Sequence, residues 1–115
     1  MKTERTVKAL AEMKGRVHVY LPNRAIGTRF IQQAEKEGFT FGDGVKPSHP
    51  ERGYSLIMGV NHDMTLNYVG IVGRMAFYGR YRKIGGEKYL RVDFAKYING
   101  EKRYLIKRYN PLKLG

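Results

Sequence analysis

Arg16-Val17-His18-Val19-Tyr20-Leu21, followed by Pro22-Asn23, is the stretch on which the fold turns. Val17, Val19 and Leu21 alternate with Arg16, His18 and Tyr20, the period of a strand, and Pro22 cannot continue a central ladder. Asn23 is a good helix N-cap. Behind it, Ile26, Phe30, Ile31 and Ala34 form an apolar stripe that stops before Gly38, so the spacing predicts a helix over 24–37. Upstream, Val7, Leu10, Ala11 and Lys14 fall at helical spacing, with Thr3 or Thr6 to cap them and Gly15 to end them. They predict a short helix over 4–14.

Downstream, Phe39-Thr40-Phe41 has strand chemistry. The Gly42-Asp43-Gly44 turn, Pro47, Pro50 and Gly53 then bracket a polar segment without periodicity, and 42–53 reads as an exposed loop. Two apolar or β-branched runs, 54–61 and 65–69, are separated by His62-Asp63-Met64, a length suited to an antiparallel hairpin. Residues 70–78 give a mixed signal: Ile71, Met75 and Tyr78 suit a helix turn, while Gly70, Gly73 and Gly79 favour an irregular path. After the Gly85-Gly86 turn, 89–94 alternates as a strand, Asp93 is placed to cap a short turn ending at Asn99-Gly100, and 104–106 reads as another strand. These signals predict an α+β fold: a mostly antiparallel sheet of about five strands packed against one main helix, with a short N-terminal helix and a basic C-terminal tail. The 115 residues suffice for a single domain, with the helix in 1–15, the α+β core over 16–106 and a mobile tail over 107–115.

Charge is distributed unevenly. Residues 74–115 hold twelve Lys and Arg against Glu87, Asp93 and Glu101, which is +9 of the total +12. Six of the nine tyrosines lie there too, interleaved as Arg80-Tyr81-Arg82, Lys88-Tyr89, Arg103-Tyr104 and Arg108-Tyr109. Cations displace counterions from a phosphate backbone and flat rings stack on bases, so this pairing points to nucleic acid. The expected contacts are Arg74, Arg80, Arg82, Lys83, Lys88, Arg91, Arg103, Lys107 and Arg108, with Tyr81 and Tyr109 as stacking platforms. The same alternation also suits strands that pack tyrosines inward and leave cations in water. Against that bland reading stands the self-repulsion of clustered like charges, a cost that a polyanionic partner removes.

Other chemistries find less support. With no cysteine there is no disulfide, thiol nucleophile or Cys-based metal site, which agrees with a reducing compartment; cytoplasm is the expectation. Met1-Lys2-Thr3-Glu4-Arg5 leads into an amphipathic stretch and not an apolar signal segment, and the uncharged run 54–62 is too short to span a bilayer. No membrane partner is expected. His18, His49 and His62 stand apart from any carboxylate cluster at ligand spacing, so neither metal nor cofactor is expected. Gly38-Phe39-Thr40-Phe41-Gly42 lacks the flanking cation of an RNA-recognition strand, and its phenylalanines read as core. Gly42-Asp43-Gly44 with Lys46 has no P-loop spacing and reads as a turn. No Ser/His/acid or paired-carboxylate pattern appears, so the expectation is a non-enzymatic protein. A small metal-dependent nuclease, with His49, Glu51, Asp43 and Arg52 converging from one loop, is the enzymatic alternative.

The succession of Arg16 to Leu21, Glu37-Gly38-Phe39-Thr40-Phe41-Gly42-Asp43-Gly44 and Asn61-His62-Asp63-Met64-Thr65-Leu66-Asn67-Tyr68-Val69 resembles small accessory proteins of phages and conjugative elements. The resemblance covers about residues 16–69 and carries no site residues. It implies a mobile-element protein, from a class that includes anti-CRISPR and other anti-defence inhibitors. Two functions from different classes follow: a basic module that binds DNA or RNA through its C-terminal third, or an inhibitor that docks on a nucleoprotein complex such as a Cas effector or on its guide or target nucleic acid.

Overall fold

The computed structural model describes residues 5–79 and 81–107. Ten elements follow in chain order: α1 (Val7–Ala11), β1 (Arg16–Tyr20), α2 (Arg24–Lys36), β2 (Thr40–Phe41), β3 (Ile57–Val60), β4 (Thr65–Tyr68), α3 (Ile71–Tyr78), β5 (Lys83–Ile84), β6 (Glu87–Asp93) and α4 (Phe94–Ile98). The fold is α+β, as expected, but its sheet is mixed and six-stranded, in the order β2-β4-β3-β1-β6-β5. β1 runs antiparallel to β3 and parallel to β6, and β2 runs parallel to β4. The predicted hairpin forms as β3 and β4, antiparallel, with Met58 opposite Tyr68 and Val60 opposite Leu66.

Local signals explain most of the elements. The Asn23 side chain accepts from Ile26 N at 3.0 Å to start α2, and Gly38, at φ +93°, turns the chain out of it. Phe30, Ile31 and Ala34 are the buried stripe, and burying a side chain the size of Phe30 stabilises the fold by roughly 1.5–3 kcal/mol. α1 is shorter than 4–14 because its start is fixed at Thr6, whose hydroxyl accepts from Ala9 N at 3.0 Å. The Glu37 carboxylate at the end of α2 then takes the N–H groups of Val7 and Lys8 at 2.9 and 2.7 Å. Asp93 caps α4 by accepting from Lys96 N.

The two faces of β1 decide the layering. Val17 and Val19 join Met58, Val60, Leu90 and Val92 in a core closed by α1, α2 and α4, where Phe39 and Phe41 are also buried. The opposite face is covered in part by a helix. Tyr20 packs with Ile57, Val69 and Tyr89 under Ala76 and Phe77 of α3. Helices therefore cover both faces, and the expectation of one main helix on one side is corrected. The ambiguous 70–78 segment is helical because this second apolar face needs a cover. Gly73 serves the close approach: a Cβ there would collide with Val69. The strand expected at 104–106 shrinks to a bridge between Leu105 and Val92. Residues 108–115 of the expected tail lie outside the described residues. No helix among the described residues is long and apolar enough to cross a membrane.

Candidate nucleic-acid interface

The Gly85-Gly86 turn positions the basic residues. Both glycines have positive φ, +57° and +83°, the backbone of a two-residue hairpin turn whose twist suits its flanking strands. Ile84 then faces Glu87, Lys83 faces Lys88, and Tyr89 N donates to Arg82 O at 2.9 Å. Further along the same edge of β6, Asp93 N donates to Tyr104 O at 2.8 Å and Ile106 N to Arg91 O at 2.7 Å. β5 and the 104–106 segment thus lie end to end along β6. The gap between them, beside Leu90, opens as an edge cleft of about 590 Å³.

Tyr81, Arg82, Lys88 and Lys107 line this cleft together with Leu90 and Leu105, and no carboxylate among the described residues does. Ion pairs among the described residues are Arg16–Glu87 at 3.3 Å and Arg52–Asp43 at 2.7 Å, so the cleft cations have no acidic partner among the described residues. Tyr81 is half exposed, with its ring close to Gly79. Lys83 is exposed on β5 next to Arg82. Arg74, exposed on α3 with its Nε 3.3 Å from Val69 O, and Arg103 line neither this cleft nor the one described below. Arg80, Arg108 and Tyr109 lie outside the described residues.

Arg91 corrects the sequence expectation. It is only 4% exposed and points under α3, where its guanidinium donates to the carbonyls of Ala76 (2.6 Å), Phe77 (2.9 Å), Gly79 (3.2 Å) and Tyr81 (2.9 Å). Its cation stands 4.6 Å from the centre of the Tyr89 ring. A buried cation at a helix C-terminus satisfies orphan carbonyls and meets the negative end of the helix dipole. Arg91 therefore holds the α3–β5 connection in place and does not present itself to a phosphate.

Beside it, His18 Nδ1 lies 2.8 Å from the Tyr89 hydroxyl, both groups buried. Burial, reinforced by the positive charges of Arg16 and Arg91, lowers the His18 pKa from 6.5 to about 4. Burial raises Tyr89 to about 12. Sequence inspection placed His18 on a strand face without assigning it a role. The available signal was the repetition of polar residues at alternate positions on both strands, Arg16-x-His18 and Tyr89-x-Arg91.

In the 42–53 loop, Asp43 pairs with Arg52, whose charge lies 5.0 Å from the centre of the Phe41 ring. His49 Nδ1 accepts from Glu51 N within its own turn. Asp43 and Arg52 are thus taken up in an ion pair and His49 in a turn that Glu51 joins only through its backbone N–H, and no group of three or more potential metal-ligating residues assembles among the described residues. Comparison with family models, curated proteins and solved structures finds no match for this chain.

Proposed function

We propose that the protein is a non-enzymatic nucleic-acid-binding module whose phosphate track runs over the gap between β5 and residues 104–106 on the outer side of β6, across Arg82, Lys88 and Lys107. One observation supports this reading above the others: a cleft that gathers three cations with no acid or ion-pair partner among the described residues, beside a half-exposed tyrosine and an apolar floor. Cations of this kind release counterions from a polyanion, and an exposed ring beside them offers a stacking surface. The Lys83–Lys88 pairing adds to the argument, because like charges set directly opposite on neighbouring strands destabilise a hairpin that has no anion between them.

The test is the triple variant Arg82→Ala, Lys88→Ala, Lys107→Ala, titrated against short single-stranded DNA and RNA by fluorescence polarisation at several salt concentrations. The affinity is expected to fall at least about tenfold, and the slope of log affinity against log salt to become shallower by roughly two, at about 0.7 per lost contact. An unchanged affinity and slope would refute the track. The surface then left to explain is the exposed apolar face of α3 away from that cleft, where Ile71 and Met75 are 79% and 61% exposed, as in an inhibitor docking on a nucleoprotein complex.

A further inference from the structure

We propose that the space between α3 and the sheet is a pocket for one unstacked base of the bound strand. The inference rests on the nucleic-acid reading above and names what enters the fold. A second cleft, of about 430 Å³, opens between α3 and the face formed by β1 and β4, and Tyr81 belongs to both clefts. A strand following the phosphate track therefore passes the mouth of this inner space. Its volume lies within the roughly 300–1,000 Å³ of small-molecule sites.

The lining matches a nucleotide. Val69, Val72 and Ile84 supply apolar surface for the faces of a ring, His18 and Asn67 supply neutral hydrogen-bonding groups for its edge, and Lys83 supplies positive charge for the attached phosphate, the neighbouring Arg16 being paired with Glu87. His18 is fixed through Nδ1 by the Tyr89 hydroxyl, and no described group bonds its other ring nitrogen. Because the imidazole is uncharged, that nitrogen serves as donor or acceptor to a base edge without repelling the neighbouring cations.

Asn67 is exposed, and its carboxamide is tied at both ends. Its Oδ1 accepts from Asn61 Nδ2 at 3.0 Å and its Nδ2 donates to Tyr68 O at 3.0 Å, leaving one amide hydrogen unused among the described residues. The carboxamide lies over Gly59, where any Cβ would collide with it. At the helix wall, a Cβ on Gly73 would collide with Val69 and come within 3.5 Å of His18 Cε1, so the α3 backbone lies close over that edge of the ring and the base edge reaches His18 from the cleft side. Recognition groups fixed by their own bonds lose little freedom when a ligand arrives, which favours binding.

The experiment compares the full chain, wild type and Val72→Trp, against a short thymidine oligonucleotide, an abasic phosphodiester of equal length, and free thymidine 5′-phosphate. Val72 is 81% exposed, so the larger ring narrows the cleft mouth without entering the core. The expected result is about tenfold tighter binding of the base-bearing chain than of the abasic one, within the range of single-base stacking, and loss of that ratio in Val72→Trp with abasic binding unchanged. In parallel, the His18 ring resonance should shift with the thymidine chain and not with the abasic chain. Equal affinity for both chains, a ratio that survives Val72→Trp, or a silent His18 resonance each overturns the base pocket while leaving the phosphate track standing. Free thymidine 5′-phosphate binding as tightly as the oligonucleotide overturns it in favour of a mononucleotide site. Failure of both chains to bind removes the pocket and the track together.

Discussion

His18 is an ionisable ring kept uncharged inside a basic protein, and that has a consequence for stability. Its pKa is lowered to about 4 by burial first and by Arg16 and Arg91 after it, whereas in the unfolded chain it titrates near 6.5. Between those values the unfolded chain binds a proton that the folded chain does not, so stability rises with pH through the window and levels off above it. The full window is worth roughly 3 kcal/mol. Urea unfolding near pH 4 and near pH 7 should show this gain in the wild type and a markedly smaller one in His18→Gln; parallel pH curves for the two proteins would dismiss it. Glu35, lowered by its hydrogen bonds from Ser48, and Asp43, lowered by Arg52, also lose stabilisation in acid. Both act equally in the two proteins, so the difference isolates the histidine. Arg91 carries the complementary lesson at this scale. Its charge is plain in the sequence, but whether a cation on an alternating strand faces water or a helix depends on what covers that face.

Among the elements, the β5–β6 hairpin joins stability to function most directly. Gly85-Gly86 holds the strands in a register that sets Lys83 against Lys88, and a directly opposed like-charge pair costs a few tenths to about 1 kcal/mol. Lys83→Glu is therefore expected to stabilise the protein by about 0.5 kcal/mol in chemical denaturation, while weakening oligonucleotide binding severalfold at low salt. A variant that is less stable, or that binds as before, would contradict the idea that this strand pair is adapted to an anion. α3 shows why element type was only partly legible. Gly73 within it and Gly70 and Gly79 at its ends suggest irregular chain, yet Gly73 is the residue that lets the helix settle against Val69, and packing overrides propensity when a buried face demands a lid.

For the molecule as a whole, +12 on 115 residues sets the conditions under which it is stable. Two exposed ion pairs among the described residues offset little of the mutual repulsion of twenty-two cations. Raising sodium chloride from about 0.02 M to about 0.3 M shortens the screening length and should raise the thermal midpoint by a few degrees, the scale of about 1 kcal/mol in a domain of this size. A midpoint that falls with salt would mean that attractive pairs outweigh the repulsion. The same screening weakens polyanion binding, so salt should move stability and affinity in opposite directions.

The sequence alone determined whatever depends on neighbours along the chain: the Asn23 and Asp93 caps, the stripe of α2, the β3–β4 hairpin, the Gly85-Gly86 turn and the concentration of charge after residue 74. Each is set within a few residues by sterics, hydrogen bonding or periodicity. Tertiary structure decided the rest. Pairing β1 with β6 brings Arg16 beside Glu87, seventy-one positions away. It also turns His18, Tyr89 and Arg91 inward beneath α3, and leaves a gap on the outer edge of β6 where Arg82, Lys88 and Lys107 meet. Periodicity tells which residues share a face. Which element covers that face, and where an edge stays open, depends on contacts between distant segments that no local pattern records.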